Sequence, residues 1–482
     1  MPPLSRAPRD KQLPLSFAQH GLWFIDRLMP DSPVYIIPAG LRLRGELNIQ
    51  ALEKAFSEMV KRHEILRTRF PSIDGYPVQM IAPPQPVGLP AVDLSELPED
   101  RREAEAKRLA ADEAQKPFDL AQGPLLRLTL VKLSGEDHMV LSTIHHIISD
   151  GWSTSIFARE IAALYEACAK NVEPRLEELP IQYADFAVWQ RQFLQGEQFE
   201  EQLSYWKAQL GGELPELKLP IDRPRPALQT YSGAGESLSL PADFSKELKQ
   251  LCLREDVTLF MVILAALDVL FGYHCGQEDI VVGSNIAGRN RIELEGLIGM
   301  FVNVLVLRTD LSGDPTLREL LARVRRVTLE AYAHQDVPFD RLVEELRPER
   351  SLSKSPLVQV VIQSQNYARE TFELPGFSLS PVGNENVYAR SDLVVLLSET
   401  SRDISISFRY NGDLFNGATV AAWLTHLNVI LKIFTTNPLA RLSETHRLLK
   451  ESDKQRQSLR QKEFKAARQK MLERRKMQPA SI

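Results

Sequence analysis

The most constraining feature of this 482-residue chain is the run His145-His146-Ile147-Ile148-Ser149-Asp150-Gly151. An alternating segment, residues 138–144, precedes the run and is typical of a β-strand, and helical spacing starts near Ser153. Neighbouring side chains of a strand point to opposite faces of the sheet. One histidine can therefore pack inwards while the other faces open space at the end of the strand. There an imidazole, which titrates near neutral pH, can meet a substrate.

Length and composition indicate a globular protein of two or three domains, since 44% of the residues are hydrophobic and 25% are charged. The net charge of −5 favours neither nucleic acid nor a membrane as partner. Three widely spaced cysteines, an odd number, fit a reducing compartment. The longest apolar stretch, residues 259–271, is interrupted by Asp268 and is too short to span a bilayer. We therefore expect a cytoplasmic protein, or a piece of one.

The predicted elements divide the chain into four parts. Residues 1–12, rich in proline and basic residues, read as a linker, and residues 13–180 as an α+β lobe that carries the histidine run. Residues 181–447 repeat a similar order of elements and form a second lobe. Residues 448–482 predict a basic helical tail. That tail is either a solvated linker or a surface that docks an acidic partner.

Three interpretations compete for the histidine run. The histidines could be packed core residues followed by an Asp-Gly turn, or zinc ligands, or catalytic groups. Adjacent residues of a strand point apart and no further cluster of His, Cys or carboxylates is present, so we predict no metal site. Arg62, Arg67 and Arg69 surround a predicted strand at residues 65–70. They are either a solvated basic edge or the source of the cation that a buried Asp150 needs.

Seven motifs in order make the chain resemble the condensation domains of nonribosomal peptide synthetases, from about residue 12 to residue 445. His145 to Gly151 matches the family's His-His-x-x-x-Asp-Gly signature without a departure. Residues 15–23 are similar to the opening motif, although His20-Gly21 stands where Gln or Glu and Arg are commoner. The remaining matches are residues 62–70, 183–190, 298–303, 334–339 and 355–360.

The resemblance implies an α+β fold of two chloramphenicol acetyltransferase-like lobes. These form a V-shaped pseudo-dimer with a central tunnel, bridged by crossover segments from the second lobe. The implied enzyme is an acyltransferase that joins an acyl or peptidyl thioester donor to the amine of an aminoacyl acceptor. Both substrates travel on 4′-phosphopantetheine arms of carrier proteins, and the domain itself binds no cofactor. Expected partners are the donor and acceptor carrier proteins and neighbouring synthetase domains, with the domain itself a monomer.

The resemblance also implies roles for individual residues of the signature. His146 is the functional histidine, and His145 supports it from the other side of the strand. Asp150 has a structural role, with Arg62 as its favoured partner and Arg67 as further support of the motif.

Four other residues are expected to shape the path of the substrates. Gly151 leaves room for a pantetheine arm. Asn303 lines the tunnel from the second lobe, together with Trp152 and Ser153, although packing alone also accounts for Trp152.

The motifs favour the subtype that joins an L-configured donor to an L-configured acceptor. Starter domains that take fatty acyl groups, and ester-forming or coenzyme A-dependent acyltransferases of the same fold, remain alternatives. A non-catalytic module that recruits carrier proteins or a tailoring oxygenase is a third class of function. The intact signature argues against this last alternative.

Overall fold

The computed structural model of the chain describes residues 3–348, 351, 353–365, 374, 376–382, 388–400 and 403–454. Two main β-sheets with helices packed against them give the mixed α+β fold that the sequence predicts. Residues 442–454 are helical, and the rest of the predicted basic tail lies outside the described residues. In the predicted linker, Arg9 forms ion pairs with Glu64 and Asp185, so this segment is held against the fold.

The α-helices of the described residues are spread along the whole chain. They are α1 (Phe17–Leu28), α2 (Ile49–Arg62), α3 (Glu99–Gln115), α4 (Gly151–Lys170), α5 (Tyr183–Phe193), α6 (Glu197–Gln209), α7 (Ala242–Arg254), α8 (Leu259–Cys275), α9 (Ile292–Glu295), α10 (Leu317–Ala333), α11 (Phe339–Leu346) and α12 (Gly417–Thr436). Capping side chains fix several starts. Ser16 and Gln19 form a capping box before α1, and the Asp150 carboxylate caps α4.

The strands of the described residues belong to two large sheets and one small sheet. They are β1 (Leu13–Pro14), β2 (Ile36–Arg44), β3 (Thr68–Arg69), β4 (Ser72–Ile73), β5 (Tyr76–Ile81), β6 (Ala91–Asp93), β7 (Leu126–Lys132), β8 (Asp137–His145), β9 (Gly233–Leu240), β10 (Asp279–Ile286), β11 (Asn303–Asp310), β12 (Val360–Ser364), β13 (Ser378–Val382), β14 (Leu393–Glu399) and β15 (Ile404–Asn411). The small sheet contains β1, β3, β4 and β5.

The first large sheet has the strand order β13-β2-β8-β7-β6. Strands β7 and β8 pair antiparallel as a hairpin, and β2 pairs with β8 so that Ile36 stands opposite His145. We call the residues up to 180 the first half of the chain and the residues after 180 the second half. Strand β13 comes from the second half and pairs with β2. The second half therefore contributes an edge strand to the sheet that carries the histidine run.

The second large sheet has the strand order β11-β10-β12-β14-β15-β9. Helices α8, α10 and α12 pack against one another beside it. Buried apolar side chains from both halves of the chain form one continuous cluster, and a smaller cluster lies between α3 and the first sheet. The two large sheets are thus joined by a shared core.

Two parts of the described chain are long and apolar enough to cross a membrane, as judged by length and composition alone. One is α12, with a mean hydropathy of 1.3 over its best window, and the other is the pair α7 and α8, which meet at a 100° bend. Half of the α12 window is buried inside the fold, and α8 is almost entirely buried. Both are accordingly helices that contribute to the protein core.

One local prediction is wrong. Residues 65–70 were expected to form a strand, but Glu64–Arg67 form a 3₁₀-helix and only Thr68–Arg69 pair as β3. The Thr68 hydroxyl donates to the Glu64 carbonyl at 2.7 Å, a local bond that favours the turn over extended backbone.

Candidate active site

The histidine run lies between strand β8 and helix α4, as the sequence predicts. His145 is the last residue of β8, and His146–Ile148 form a single 3₁₀ turn. The backbone N–H of Ile147 donates to Nδ1 of His145 at 3.1 Å, which helps to end the strand. Helix α4 begins at Gly151, two residues before the predicted start. The two imidazoles therefore lie at the carboxyl end of the central strand of the first sheet.

His145 is a buried, neutral residue. Its ring packs edge-on against Phe118, with ring centroids 6.1 Å apart. Burial, helped by the positive charge of Arg390, lowers the pKa of His145 to about 3. This histidine can support its neighbour but does not become charged at neutral pH.

His146 is partly exposed, whereas its Nδ1 atom is buried without a hydrogen-bond partner among the described residues. Nε2 is therefore the nitrogen that can face a substrate. Burial of the ring, followed by the charge of Arg390, lowers the pKa of His146 well below its ordinary value. The side chain is neutral at physiological pH and can accept a hydrogen bond or a proton.

The partner of Asp150 is Arg289, and the prediction of Arg62 is wrong. Arg289 donates to the Asp150 carboxylate at 3.2 Å, and both side chains are almost fully buried. The same carboxylate accepts bonds from the backbone N–H and hydroxyl of Ser153 at 2.8 and 2.7 Å. It also accepts one from the Phe301 N–H at 3.1 Å. Asp150 thus joins the start of α4 to residues of the second half.

Arg62 and Arg67 lie elsewhere, so neither supports the motif directly. Arg62 pairs with Glu160 at 3.0 Å. Ten residues of helix separate Glu160 from Asp150, a rise of about 15 Å, which puts Asp150 out of reach of Arg62. Arg67 donates to the Ala82 carbonyl. The basic segment therefore anchors the middle of α4 and the edge of the small sheet.

Ser153 and Trp152 connect the two halves of the chain. The Ser153 hydroxyl, which donates to Asp150, accepts from the Gly299 N–H at 3.0 Å, and the residue is fully buried. The Trp152 indole donates to the Glu295 carbonyl at 3.0 Å. Ser153 is fully buried and leaves no surface for a substrate path, whereas the place of Trp152 in a tunnel wall stays a prediction.

A cavity of about 350 Å³ lies between the two halves of the chain. Its walls come from α1 and α5 on one side and from β11 and residues 335–340 on the other. Asn303 lines it, and its amide donates to the carbonyls of Gln335 and Val337 at 3.1 and 2.8 Å. Asn303 also accepts a bond from the Phe339 N–H at 2.9 Å. Its role in the wall is to hold this loop in place.

Two residues that the sequence did not single out link the cavity to the histidines. Tyr35 lines the cavity and directly precedes Ile36, which is paired with His145. The Arg390 guanidinium lies over the Tyr35 ring at 4.8 Å and donates to the Val34 carbonyl at 3.0 Å. No local pattern could have indicated Arg390, because it reaches the site only through the folding of the second half.

Among the described residues, no group of three or more His, Cys, Asp or Glu side chains is placed to hold a metal ion. The groups available for chemistry are a neutral imidazole, a nearby guanidinium and a mainly apolar cavity. Such a set suits the transfer of an acyl group between two bound substrates.

Comparison with known proteins decides the family. The family model described as Condensation domain matches residues 9–457. This chain belongs to the condensation-domain family. Condensation domains of nonribosomal peptide synthetases are acyltransferases that form amide bonds, and the predictions of family, fold and enzyme class are confirmed.

Relatives of this condensation domain are found within long synthases. Linear gramicidin synthase subunits C and B of Brevibacillus parabrevis are 49% and 50% identical to it over 438 and 432 residues. These matches cover 90% and 89% of this chain, and the chain spans only 6% and 8% of those subunits. The condensation domain therefore corresponds to a small part of each relative.

Solved structures share the fold of the condensation domain. The X-domain from teicoplanin biosynthesis has a TM-score of 0.84 at 31% identity, and the match covers 92% of this chain and 99% of that one. The condensation domain from the Monacolin K polyketide synthase MokA has a TM-score of 0.77 at 22% identity, covering 90% and 99%. The second similarity concerns the fold alone.

Proposed function

We propose that this condensation domain joins a carrier-bound acyl or peptidyl thioester donor to the amine of a carrier-bound aminoacyl acceptor. Both partners are L-configured in the proposed subtype. The proposal is supported by the intact signature and by the close relatives in gramicidin synthase subunits. The observation that carries it is His146, a neutral, partly exposed imidazole at the end of β8. Its 3₁₀ turn contacts helix α1, and α1 forms part of the wall of the cavity between the two halves of the chain.

In the proposed reaction, the acceptor amine attacks the thioester carbonyl of the donor. A C–N bond forms, the C–S bond breaks, and the pantetheine sulfur of the donor leaves as a thiol. The amine loses one proton and the thiolate gains one, so no net proton is released or consumed. The domain needs only to accept this proton for a short time and return it. No ATP is consumed in this step, because the thioester is already an activated acyl group.

His146 is assigned mainly to orientation of the amine, with late acceptance of its proton. An α-amino group has an ordinary pKa of about 7.7–8.0, so a useful fraction is already neutral at cellular pH. General base help is typically worth about 10²–10⁴-fold, whereas positioning of two reactants contributes considerably more. The lowered pKa of His146 keeps Nε2 free to accept a hydrogen bond from the attacking amine.

The two pantetheine arms are proposed to reach His146 from opposite sides, through a tunnel between a lobe of residues 13–180 and a lobe of residues 181–447. Gly151, exposed at the first turn of α4, is assigned to the space for one arm. The proposed partners are the two carrier proteins and neighbouring synthetase domains. The domain is proposed to act as a monomer in the cytoplasm and to bind no cofactor of its own.

Intact-protein mass spectrometry tests this function directly. Loaded donor and acceptor carrier proteins are incubated with the domain, and the mass of the acceptor should rise by that of the donor acyl group. His146→Ala should lower the rate by at least about 100-fold. His138→Ala changes another buried histidine of β8 and serves as the matched control, with a rate within a few-fold of the original.

The pH dependence separates the two roles of His146. If raising the pH fully restored the rate of His146→Ala, base catalysis rather than orientation would be its main role. If His146→Ala were as active as the original, the assignment of this residue would be wrong. Faster transfer from a coenzyme A donor, a fatty acyl donor or to a hydroxyl acceptor would favour one of the related acyltransferase subtypes instead.

A recruitment module is the second candidate function. It is favoured by the similarity to the teicoplanin X-domain, which has also been solved in a complex with OxyB. A module of this class would bind a partner protein equally well with or without His146 and would form no product. Stable binding of carrier proteins with no mass shift, for both the original and His146→Ala, would support it.

A further inference from the structure

Asp340, in the first turn of α11, is a cavity carboxylate that the chemistry at His146 does not use. It lies directly against Gly21 of α1, where an added Cβ atom would be 2.9 Å from both carboxylate oxygens. Among the described residues, no hydrogen bond or ion pair within 4 Å joins Asp340 to another group. The absence of a side chain at position 21 leaves this carboxylate open to the cavity.

The nearest cation does not neutralise Asp340. The Arg191 guanidinium lies over the Phe17 ring at 3.8 Å, and its Nε donates to the Leu15 carbonyl at 2.9 Å. Glu344, one turn further along α11, has its own partner in Arg341 at 2.6 Å. Asp340 is therefore a carboxylate in need of a counter-ion.

Electrostatics support the same conclusion. Burial, with a smaller contribution from Glu344, raises the pKa of Asp340 to about 7, and Arg191 only partly opposes this. Other titratable groups near this position in the described part of the chain include His20 of α1, Tyr35, and Asp336 of the same cavity wall. A cation bound beside Asp340 would lower the pKa of this carboxyl group. The same attraction between the cation and the carboxylate would stabilise the bound cation.

The rest of the cavity wall is mainly apolar. Ile25, Phe193, Val302 and Phe339 contribute to it, and a volume of about 350 Å³ holds the side chain of one amino acid. The arrangement suits a group with an aliphatic stem and a positively charged end, because the stem contacts the apolar wall while the charge meets Asp340.

We propose that this cavity is a subsite for an aminoacyl side chain that ends in an ammonium or guanidinium group, with Asp340 as its counter-ion. This subsite rests on the proposed function, which supplies the aminoacyl group from either the donor or the acceptor carrier. The side-chain chemistry is the same for both carriers, and loading each carrier separately shows which one supplies the bound side chain.

The first test measures selectivity. Lysine and its neutral analogue norleucine are loaded in turn on the acceptor and on the donor carrier, and kcat/KM is compared. We expect lysine to be favoured at least about tenfold on one of the two carriers, mainly through KM. The ratio should fall to about one in Asp340→Asn and in Gly21→Arg, whose side chain would occupy the counter-ion position.

The matched control is Asp336→Asn. Asp336 is a carboxylate of the same cavity, but it already accepts bonds from Gln202 and Asn290 at 2.9 and 2.8 Å. This variant should keep the lysine preference. An original domain that does not distinguish lysine from norleucine on either carrier would overturn the proposal, as would a preference that survives in Asp340→Asn. Unfolding midpoints establish that each variant is folded.

A second test does not depend on activity. Calorimetry compares binding of pentylammonium and 1-pentanol to the domain. The ammonium should bind more tightly to the original, and Asp340→Asn should remove that difference. Equal binding of the two probes to the original domain would refute the subsite. Failure of condensation with every loaded carrier would instead refute the proposed function, while the binding result would still decide the role of Asp340.

Discussion

The buried ion pair between Arg289 and Asp150 provides the sharpest prediction from this structure. Both side chains are at most 1% exposed, and the closest contact is 3.2 Å. We consider Arg289→Met, which keeps most of the side-chain volume and removes the charge. Asp150 would then be left in the interior with only the neutral donors of Ser153 and Phe301.

The expected cost follows from this geometry. At 3.2 Å and an effective dielectric constant near 20, the Coulomb attraction is about 5 kcal/mol. Removal of one partner of a buried pair typically costs about 3–5 kcal/mol, because the other charge stays buried without compensation. In the pair with Glu160, Arg62 is 19% exposed and Glu160 keeps His63 as a second partner at 2.8 Å, so Arg62→Met should cost clearly less, about 1 kcal/mol.

Urea unfolding measures both variants. Arg289→Met should lower the free energy of unfolding by about 3–5 kcal/mol. In a double-mutant cycle with Asp150→Asn, the two changes together should cost clearly less than the sum of the single changes. A loss below about 1 kcal/mol, or a loss equal to that of Arg62→Met, would refute the claim that this pair locks the two halves together.

Three further predictions concern other parts of the fold. Gly299→Ala should cost at least about 2 kcal/mol in urea unfolding, because its Cβ would lie 1.9 Å from Tyr183, whereas Gly296→Ala should cost under about 1 kcal/mol. Burial raises the pKa of Asp268 well above its ordinary value, so the contribution of this residue to stability falls as pH rises above about 4. Asp268→Asn should remove this loss, and a stability difference that is the same at pH 4 and pH 8 would contradict it. The condensation rate should rise with pH as the amine loses its proton. A separate change in the rate near pH 6.5 would show that His146 titrates there, contrary to its lowered pKa.

Much of the architecture could be predicted from local patterns. The alternation before His145 and the helical spacing after it placed the histidine run between a strand and a helix, as found. The long apolar stretch at residues 259–271 falls within α8, a helix that is buried on every side. Strand β14 was not recognised, because a continuous apolar run in a buried strand carries no alternation.

The site was only partly predictable. The position of Asn303 in the cavity wall agrees with its motif, but the pairing of Asp150 with Arg62 was wrong. Ser153 was expected in a substrate path and instead bonds to Gly299. Each error concerns which distant residue meets a side chain, and spacing along a chain holds no information about that.

The sequence by itself determined the family, the α+β elements and the histidine that ends β8, because these depend on motifs and periodicities within short segments. Tertiary structure alone decided that Arg289 neutralises Asp150, that the charge of Arg390 acts on the histidines and that Asp340, within the described residues, faces a cavity without a hydrogen bond or ion pair. A charged side chain in the interior either pairs with a counter-ion or lies where a ligand can reach it. Which of the two applies to a given residue depends on how the two halves of the chain pack together.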